Sequence, residues 1–501
     1  MNITKEYKYD VLVAGGGSAG VAAGIAAARR GHRVLLLEAR ESLGGYATNG
    51  YVHGIDGVIS GIGAEIVEEL KKTDDVVPKT RFGMNVVFDP EKGKLCMEAK
   101  LLKAGVRILY GVTVIDCEVQ DGRIRKVIAF GKSGAFSVEA KVYIDATGDA
   151  DLARAAKVPY ETGAPEYAGL NMSSTQVFRL SHVNRKKYME ADAQWRLENP
   201  QEAAKSSYMA HMYREGVKAG LLPYFIFPTA LFYPLPHTDD ECADVTVNSS
   251  HSIYCRSDDT EDRTRQIIEQ HQSMLCMERF FREMVPGFED CYVANIAPMH
   301  GFRETRRIMG RYEMTDSDIV LGRKFDDAVC RFAGGLDVHH PTSREHGFIR
   351  HTHMTGDTGN AFVSEAGTPA QEVGIHNFTV PDGPEVRPVP YDWCEIPYRC
   401  LLPQDVEGLL VAGRCISAST AASSGTRTIG SCLTTGQAAG TAAALSIEEG
   451  VDPSCLDTAQ LRRILIADGV SLEGKIEDVA EKSEDDELYV SFLDNVKIRK
   501  K

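Results

Sequence analysis

The sequence predicts an α/β protein organised around a parallel sheet. Three observations carry this expectation. A short apolar strand is expected over residues 10–14, a glycine-rich turn leads from it into a helix of small residues over 19–30, and a second apolar strand follows over 33–38. Continuous apolar runs of this length, without alternation, are the pattern of strands buried on both faces. Gly31 is placed to end the helix.

The turn reads AGGGSAG, with Gly15, Gly17 and Gly20 at GxGxxG spacing. One glycine permits the tight turn, the next lets backbone approach a pyrophosphate, and the third lets helix and strand pack closely. The helix start at Ser18 and Ala19 then offers free N–H groups and partial positive charge to phosphates. Glu38 ends the second strand 18 residues after Gly20 and is followed by Ala39 and Arg40. A carboxylate there accepts hydrogen bonds from an adenosine ribose and repels a 2′-phosphate, which speaks against NADP. The combination predicts a Rossmann-like dinucleotide-binding domain.

Further strands are expected over 106–109, 112–119, 124–130 and 138–144, the last three as an inserted β-meander with Gly122 and Gly134 near its turns. From about residue 159 aromatics, prolines and histidines become more frequent, and a helix is expected over 260–284. Residues 159–394 are therefore read as a mixed α+β substrate or cap domain. The stretch 380–390 holds four prolines and is expected to be a loop. A buried strand over 409–412 and a small-residue helix over 436–449 return the chain to the first domain. The division is thus 1–158 with 395–470 as one discontinuous domain, 159–394 as the second, and 471–501 as a charged C-terminal segment.

Four segments carry a family resemblance: the opening turn, Gly44-Gly45 in LGGYATNG, Ala146-Thr147-Gly148 in IDATGDADLA, and Gly413-Arg414 in VAGRCIS with Gly436 in TGQAAG. Together they resemble the glutathione-reductase-like superfamily of FAD flavoproteins. The resemblance implies FAD as cofactor, held along Gly44, Gly45 and Thr48, along 146–148, and at Gly413, Arg414 and a helix N-terminus near Gly436. Two positions depart from the superfamily pattern: Tyr46 stands where many relatives have Arg, and Arg414 where many have Asp. A second dinucleotide fingerprint and a redox cysteine pair are both missing from the sequence, so the electron donor or acceptor is left unknown.

For the substrate side the candidates are Arg303 and Arg306, with Arg307, in GFRETRRIMGR, and Arg427 in SSGTRTIG. If that first segment is helical, Arg303 and Arg307 share a face. Such a cluster can hold a carboxylate or phosphate; the plain alternative is ion pairing with Asp316, Asp318, Asp326 and Asp327. His339, His340, His346, His351 and His353 could supply a general base, His53 could lie near the flavin, and Tyr398 and Arg399 could line its cavity. No compelling metal-ligand spacing is present. A formal net charge of −15 speaks against nucleic acid as a partner. The 12 cysteines form no CxxC pair, and residues 1–10 lack the features of a signal peptide, which points to the cytoplasm. The run 11–28 is read as strand, turn and helix rather than a membrane span. The expected function is an FAD-dependent oxidoreductase that transfers a hydride between flavin N5 and a small anionic or hydroxylated substrate. Other readings are a tRNA-modifying flavoprotein, or an FAD-containing electron carrier or redox sensor.

Overall fold

The computed structural model describes residues 3–56, 58–78, 84–203, 207–224, 233–320, 322–332, 336–344, 348–351, 364–365 and 393–473. Strand β1 (Ile3–Lys8) precedes the buried strand β2 (Val11–Ala14), helix α1 (Ser18–Arg29) and strand β3 (Val34–Glu38). Strands β4 (Arg107–Tyr110), β5 (Thr113–Gln120), β6 (Arg123–Gly131), β7 (Gly134–Glu139) and β8 (Val142–Asp145) follow. The next segment holds β9 (Phe178–Val183), β10 (Ala243–Val247), helix α2 (Thr260–Met284) and β11 (Tyr292–Ile296). The last elements used below are β12 (Asp337–His339), β13 (Leu409–Val411), and helices α3 (Thr420–Thr426) and α4 (Ile429–Glu449).

The central sheet is parallel, in the order β13-β8-β2-β3-β4. Every residue of β2, β3, β8 and β13 is buried. This is the doubly covered parallel sheet that the unbroken apolar runs require. The fold is a Rossmann-type α/β fold with a second, mixed α+β region.

The meander differs from the expectation in one respect. The run 138–144 is not one strand. Its first part belongs to β7 and its last to β8, with the chain turning at Ala140–Lys141 between two sheets. The meander is β5-β6-β7, and β1 adds to it in parallel.

Helices α1 and α4 run side by side in the same direction. A Cβ on Gly436 would meet the Ala19 carbonyl oxygen at 2.1 Å, and one on Gly440 would meet that of Ala23 at 2.2 Å. The small-residue faces exist for this contact. The expected start of α4 near Gly436 is therefore corrected: the helix begins at Ile429, and Gly436 lies inside it against α1.

A second apolar core gathers side chains between Phe178 and Cys291, from the sheet containing β9, β10 and β11 and from α2. Residues such as Ile308, Val329, Phe332 and Val338 pack instead into the first core. The proline-rich stretch 380–390 and the charged residues 474–501 lie outside the described residues.

Candidate functional site

The opening turn has the shape of a cradle. A Cβ on Gly15 would meet the Ala146 carbonyl oxygen at 2.4 Å, and one on Gly20 would meet the Gly15 carbonyl oxygen at 1.8 Å. Only glycine lets the helix start this close to the strand and to the 146–148 turn. At Gly17 the nearest atom to such a Cβ is the Gly45 Cα at 4.0 Å, so its outer face is open. Gly17 precedes α1, which has no capping side chain and no acid in its first turn. Its first N–H groups thus suit an anion. Ser18 donates from its hydroxyl to the Gly44 carbonyl at 3.3 Å, and the Gly44 N–H donates to the Gly16 carbonyl at 2.8 Å. The GG turn is thereby tied to the first turn.

Glu38 is buried at the end of β3. Its Oε2 accepts from the Gly16 N–H at 2.6 Å and its Oε1 from the Arg40 N–H at 2.8 Å. Burial raises its carboxyl above the ordinary range, and the backbone donors at Arg40, Gly16 and Ala39 oppose that. Each carboxylate oxygen keeps a second lone pair for a ligand hydroxyl. Thr48 faces inward: its hydroxyl donates to the Leu43 carbonyl, and its side chain packs behind Gly44.

Ala146 continues β8, its N–H donating to the Ala14 carbonyl at 2.8 Å. Asp145, which the motif reading passed over, shapes the turn by accepting from the Thr147 N–H and hydroxyl and from the Ala153 N–H. Arg414 leaves the Gly413 turn, crosses Gly148, pairs with Asp149, donates to the Phe302 carbonyl, and lies 4.9 Å from the Tyr46 ring centroid. Tyr46 and Asp149 hold its guanidinium above its ordinary pKa despite burial. Asp149 also pairs with Arg263 at 3.4 Å and accepts from the Thr305 hydroxyl at 2.8 Å. Burial pushes the Asp149 carboxyl up, but Arg414 and Arg263 bring it below the ordinary range.

The segment carrying the arginine candidates is not helical. Arg306 and Arg307 lie on a strand, Arg306–Ile308. The segment's ion pairs are with Asp151 and Glu304 rather than with the aspartates at 316, 318, 326 or 327. Arg306 donates to the Asp149 carbonyl at 2.7 Å and pairs with Asp151 at 3.0 Å. Arg307 pairs with Glu304 and donates to the Gly163 and Ala418 carbonyls.

Arg303 goes elsewhere. It is 8% exposed, donates to the Ser173 carbonyl, and its Nη2 lies 3.5 Å from His251 Nε2. The His251 and His339 rings are 5.5 Å apart. His339 Nε2 lies 3.2 Å from Asp337 Oδ1, and Arg427 Nη2 lies 3.1 Å from Asp337 Oδ2. Arg303, His251, His339, Asp337 and Arg427 thus form one connected cluster. Burial and the neighbouring Arg427 lower the Arg303 guanidinium to about 9. Burial and Arg303 lower the His339 imidazole to about 4 and carry His251 well below its usual range. His251 and Asp337 had no sequence motif to mark them.

The other candidates are dispersed. His53 is buried between the Phe88 carbonyl at 2.7 Å and the Thr246 hydroxyl at 2.9 Å. His340 accepts from the Thr342 N–H at 3.2 Å. His346 and His353 lie outside the described residues, and His351 is described only as the backbone partner of Asp337. The Tyr398 hydroxyl donates to the Pro453 carbonyl at 2.9 Å, and Arg399 pairs with Asp327 at 2.9 Å. Between the two regions lies a cavity of about 380 Å³, whose lining includes Arg40, Gln176, Arg263, His300 and Phe302. Among the described residues no helix is long and apolar enough to cross a membrane, and no group of three His, Cys, Asp or Glu side chains could hold a metal ion.

Among solved structures, a geranylgeranyl bacteriochlorophyll reductase-like protein from Thermoplasma acidophilum is 13% identical, with a TM-score of 0.46, over 98% of this chain and 96% of its own. The myxobacterial chondrochloren halogenase CndH is 14% identical, with a TM-score of 0.39, over 92% and 78% of the two chains. The p-nitrophenol 4-monooxygenase PnpA from Pseudomonas putida is 12% identical, with a TM-score of 0.35, over 62% and 71%. No curated protein matches the chain. The family model described as FAD dependent oxidoreductase matches residues 10–465. That span includes the cradle, the GG turn, the 146–148 turn and the Gly413 turn, and the open glycine turn and uncapped helix suit a diphosphate: the chain belongs to the FAD-dependent oxidoreductase family, and is an enzyme that uses FAD.

Proposed function

We propose that this enzyme transfers a hydride between its flavin and a small anionic or hydroxylated substrate bound at the Arg303–Arg427 cluster. When bound, FAD supplies the two-electron acceptor or donor, at N5 of its ring. Gly15, Gly17, Ser18, Ala19 and Gly20 hold the diphosphate, Glu38 and Arg40 the adenosine end, and Gly44, Gly45, 146–148 and Gly413 the path between. This assignment rests on the glutathione-reductase-like pattern, to which we assign the chain. Residues 1–158 with 395–470 bind the cofactor, and 159–394 cover the substrate.

One observation carries the reading. Arg427, directly ahead of the helix that packs along the cofactor-binding helix α1, pairs with Asp337, whose charge also acts on Arg303, 124 positions away in sequence. Gly436 packs on Ala19, so residues 429–435 of α4 extend beyond the start of α1 by about 10 Å at ~1.5 Å per residue. Arg427 sits at the tip of that overhang, away from the diphosphate turn, where the substrate end of the cofactor is to be sought. Arg303 and His339 are buried, which strengthens the charge–charge contacts they make, while the Asp337 side chain keeps 41% of its surface exposed.

The test is an anaerobic screen of organic acids, alcohols, sugars and amines that follows loss of flavin absorbance. At least one small molecule of these classes should bleach the flavin. Failure of all of them, with bleaching only by a redox protein, would replace this reading with an electron carrier.

A further inference from the structure

Tyr46 and Arg414, the two positions at which the chain departs from the superfamily pattern, are far apart in sequence and touch in space. The Arg414 guanidinium lies 4.9 Å from the centroid of the Tyr46 ring, and its Nη1 donates to the Tyr46 hydroxyl at 3.3 Å. The same hydroxyl accepts from the Phe302 N–H at 3.1 Å, and Nη1 also donates to the Phe302 carbonyl. The tyrosine at 46 has its partner in the arginine at 414, so the two departures form one exchange.

That arginine stands beside the anion cradle, fixed there by three contacts. A Cβ on Gly413 would lie 2.9 Å from the Ala19 Cβ, so the closing turn rests on the first turn of α1. A Cβ on Gly148 would lie 3.2 Å from both Nε and Nη2 of Arg414, so the guanidinium covers the 146–148 turn. Tyr46 follows Gly45, whose Cα is the nearest atom to the open face of Gly17. Arg414 is buried and keeps its charge. Of its five N–H groups, the Nη1 pair goes to Phe302 and Tyr46, and one on Nη2 goes to Asp149. The Nε–H and the second Nη2–H find no protein acceptor among the described residues, and they belong to the two atoms nearest Gly148. The carboxylates around it are shared. Asp149 also pairs with Arg263 at 3.4 Å and feels Arg306, while Glu304, which feels Arg414, pairs with Arg307.

A buried guanidinium with donors to spare, beside an uncapped helix start, suits a diphosphate. The backbone N–H groups of α1 supply dipoles but no net charge. Residues 15–20, 44–48 and 146–148 contain no lysine or arginine. Arg414 is the guanidinium in contact with both the 146–148 turn and the residue after the GG pair. We infer that Arg414 is the side chain that neutralises the cofactor diphosphate, supplying from the closing turn the guanidinium that the superfamily pattern places after the GG pair. Asp149 and Tyr46 are positioning residues that hold it against Gly148. This rests on the reading that the opening turn holds the diphosphate of FAD.

The experiment uses the full chain freed of its cofactor and titrated with FAD, binding being followed by flavin fluorescence at several salt concentrations. The diphosphate is the charged group of FAD at neutral pH, so the salt dependence reads the contact to it. Arg414→Gln should bind FAD about tenfold to a hundredfold more weakly than the parent, and with a shallower salt dependence. Arg414→Gln with Asp149→Asn removes both charges of the pair and decides the same point should the single variant not fold. Adding Tyr46→Arg to Arg414→Gln should recover at least about threefold of the lost affinity. Equal FAD affinity in the parent and the charge variants would overturn the inference. So would a loss with unchanged salt dependence, which is what a merely structural role gives. No recovery with Tyr46→Arg would overturn the exchange between the two positions. A parent that takes up no FAD at any salt concentration overturns the reading of the opening turn itself, whereas the other failures leave that reading standing.

Discussion

At the scale of single residues, the proposed cofactor site depends on contacts that leave no room for another atom. Gly20→Ala would drive a methyl group into the Gly15 carbonyl, 1.8 Å away. The expected outcome is loss of bound FAD and a destabilisation of about 1–3 kcal/mol, read as flavin absorbance per protein and as a thermal midpoint. Glu38 accepts from two backbone N–H groups, one on each oxygen. In Glu38→Gln one of those donors would face an amide NH₂, so FAD affinity should fall about tenfold to a hundredfold, measured by fluorescence titration of the apoprotein. Both residues are legible in the sequence because their spacing is local: strand, turn, helix and acid lie within 29 consecutive positions from Asp10 to Glu38. Thr48 was legible only as a neighbour of the GG pair. Its inward hydroxyl depends on the Leu43 carbonyl, which a motif does not describe.

At the scale of elements, the α1–α4 pairing connects the diphosphate turn to the tip that carries Arg427. Gly436→Ala and Gly440→Ala each put a methyl group about 2 Å from a carbonyl oxygen of α1. Both should lower the urea midpoint by more than Gly450→Ala, which has open space but a φ of +68° and should cost about 1 kcal/mol. Equal midpoints for all three would refute the close-packing role. The sequence showed the small-residue face of α4 but not its first two turns. Those read IGSCLTT, rich in β-branched, hydroxyl-bearing and glycine residues of modest helix propensity. Complete burial of residues 429–435 supplies what propensity does not. The break at Ala140–Lys141 was hidden for a similar reason. Two short apolar strands separated by two residues look like one until they are assigned to different sheets. The arginine segment was open to a helical reading because spacing of four suits a helix, yet its backbone is claimed by pairing of Arg306–Ile308 with Tyr160–Thr162.

At the scale of the whole molecule, burial of neutral histidines predicts how stability responds to acid. His53 is lowered to about 4, chiefly by burial, from an unfolded value of 6.5. Its folded pKa is depressed and the group is a base, so its contribution is fully present above about pH 6.5 and is lost as the pH falls toward 4. Comparing the parent with His53→Gln by urea unfolding cancels the other groups. The parent's advantage should shrink by about 3 kcal/mol, as an order of magnitude, over that window and stay constant from pH 7 to 9. An advantage that grows on acidification would contradict the burial. Long-range assembly is also where sequence reading stopped. His251, Arg303, Asp337 and Arg427 are spread over 177 positions, and only the packed fold brings them together. Local motifs mark the proposed cofactor side, and pairing through space marks the proposed substrate side. The central claim is that the opening turn, with Glu38, holds FAD. Its most direct measurement is the absorbance spectrum of the purified enzyme, with the released chromophore identified by mass and counted per chain. The account predicts a yellow protein carrying one FAD, and a Gly20→Ala variant without it. A colourless protein that FAD cannot reconstitute, or a variant that keeps its FAD in full, would contradict it.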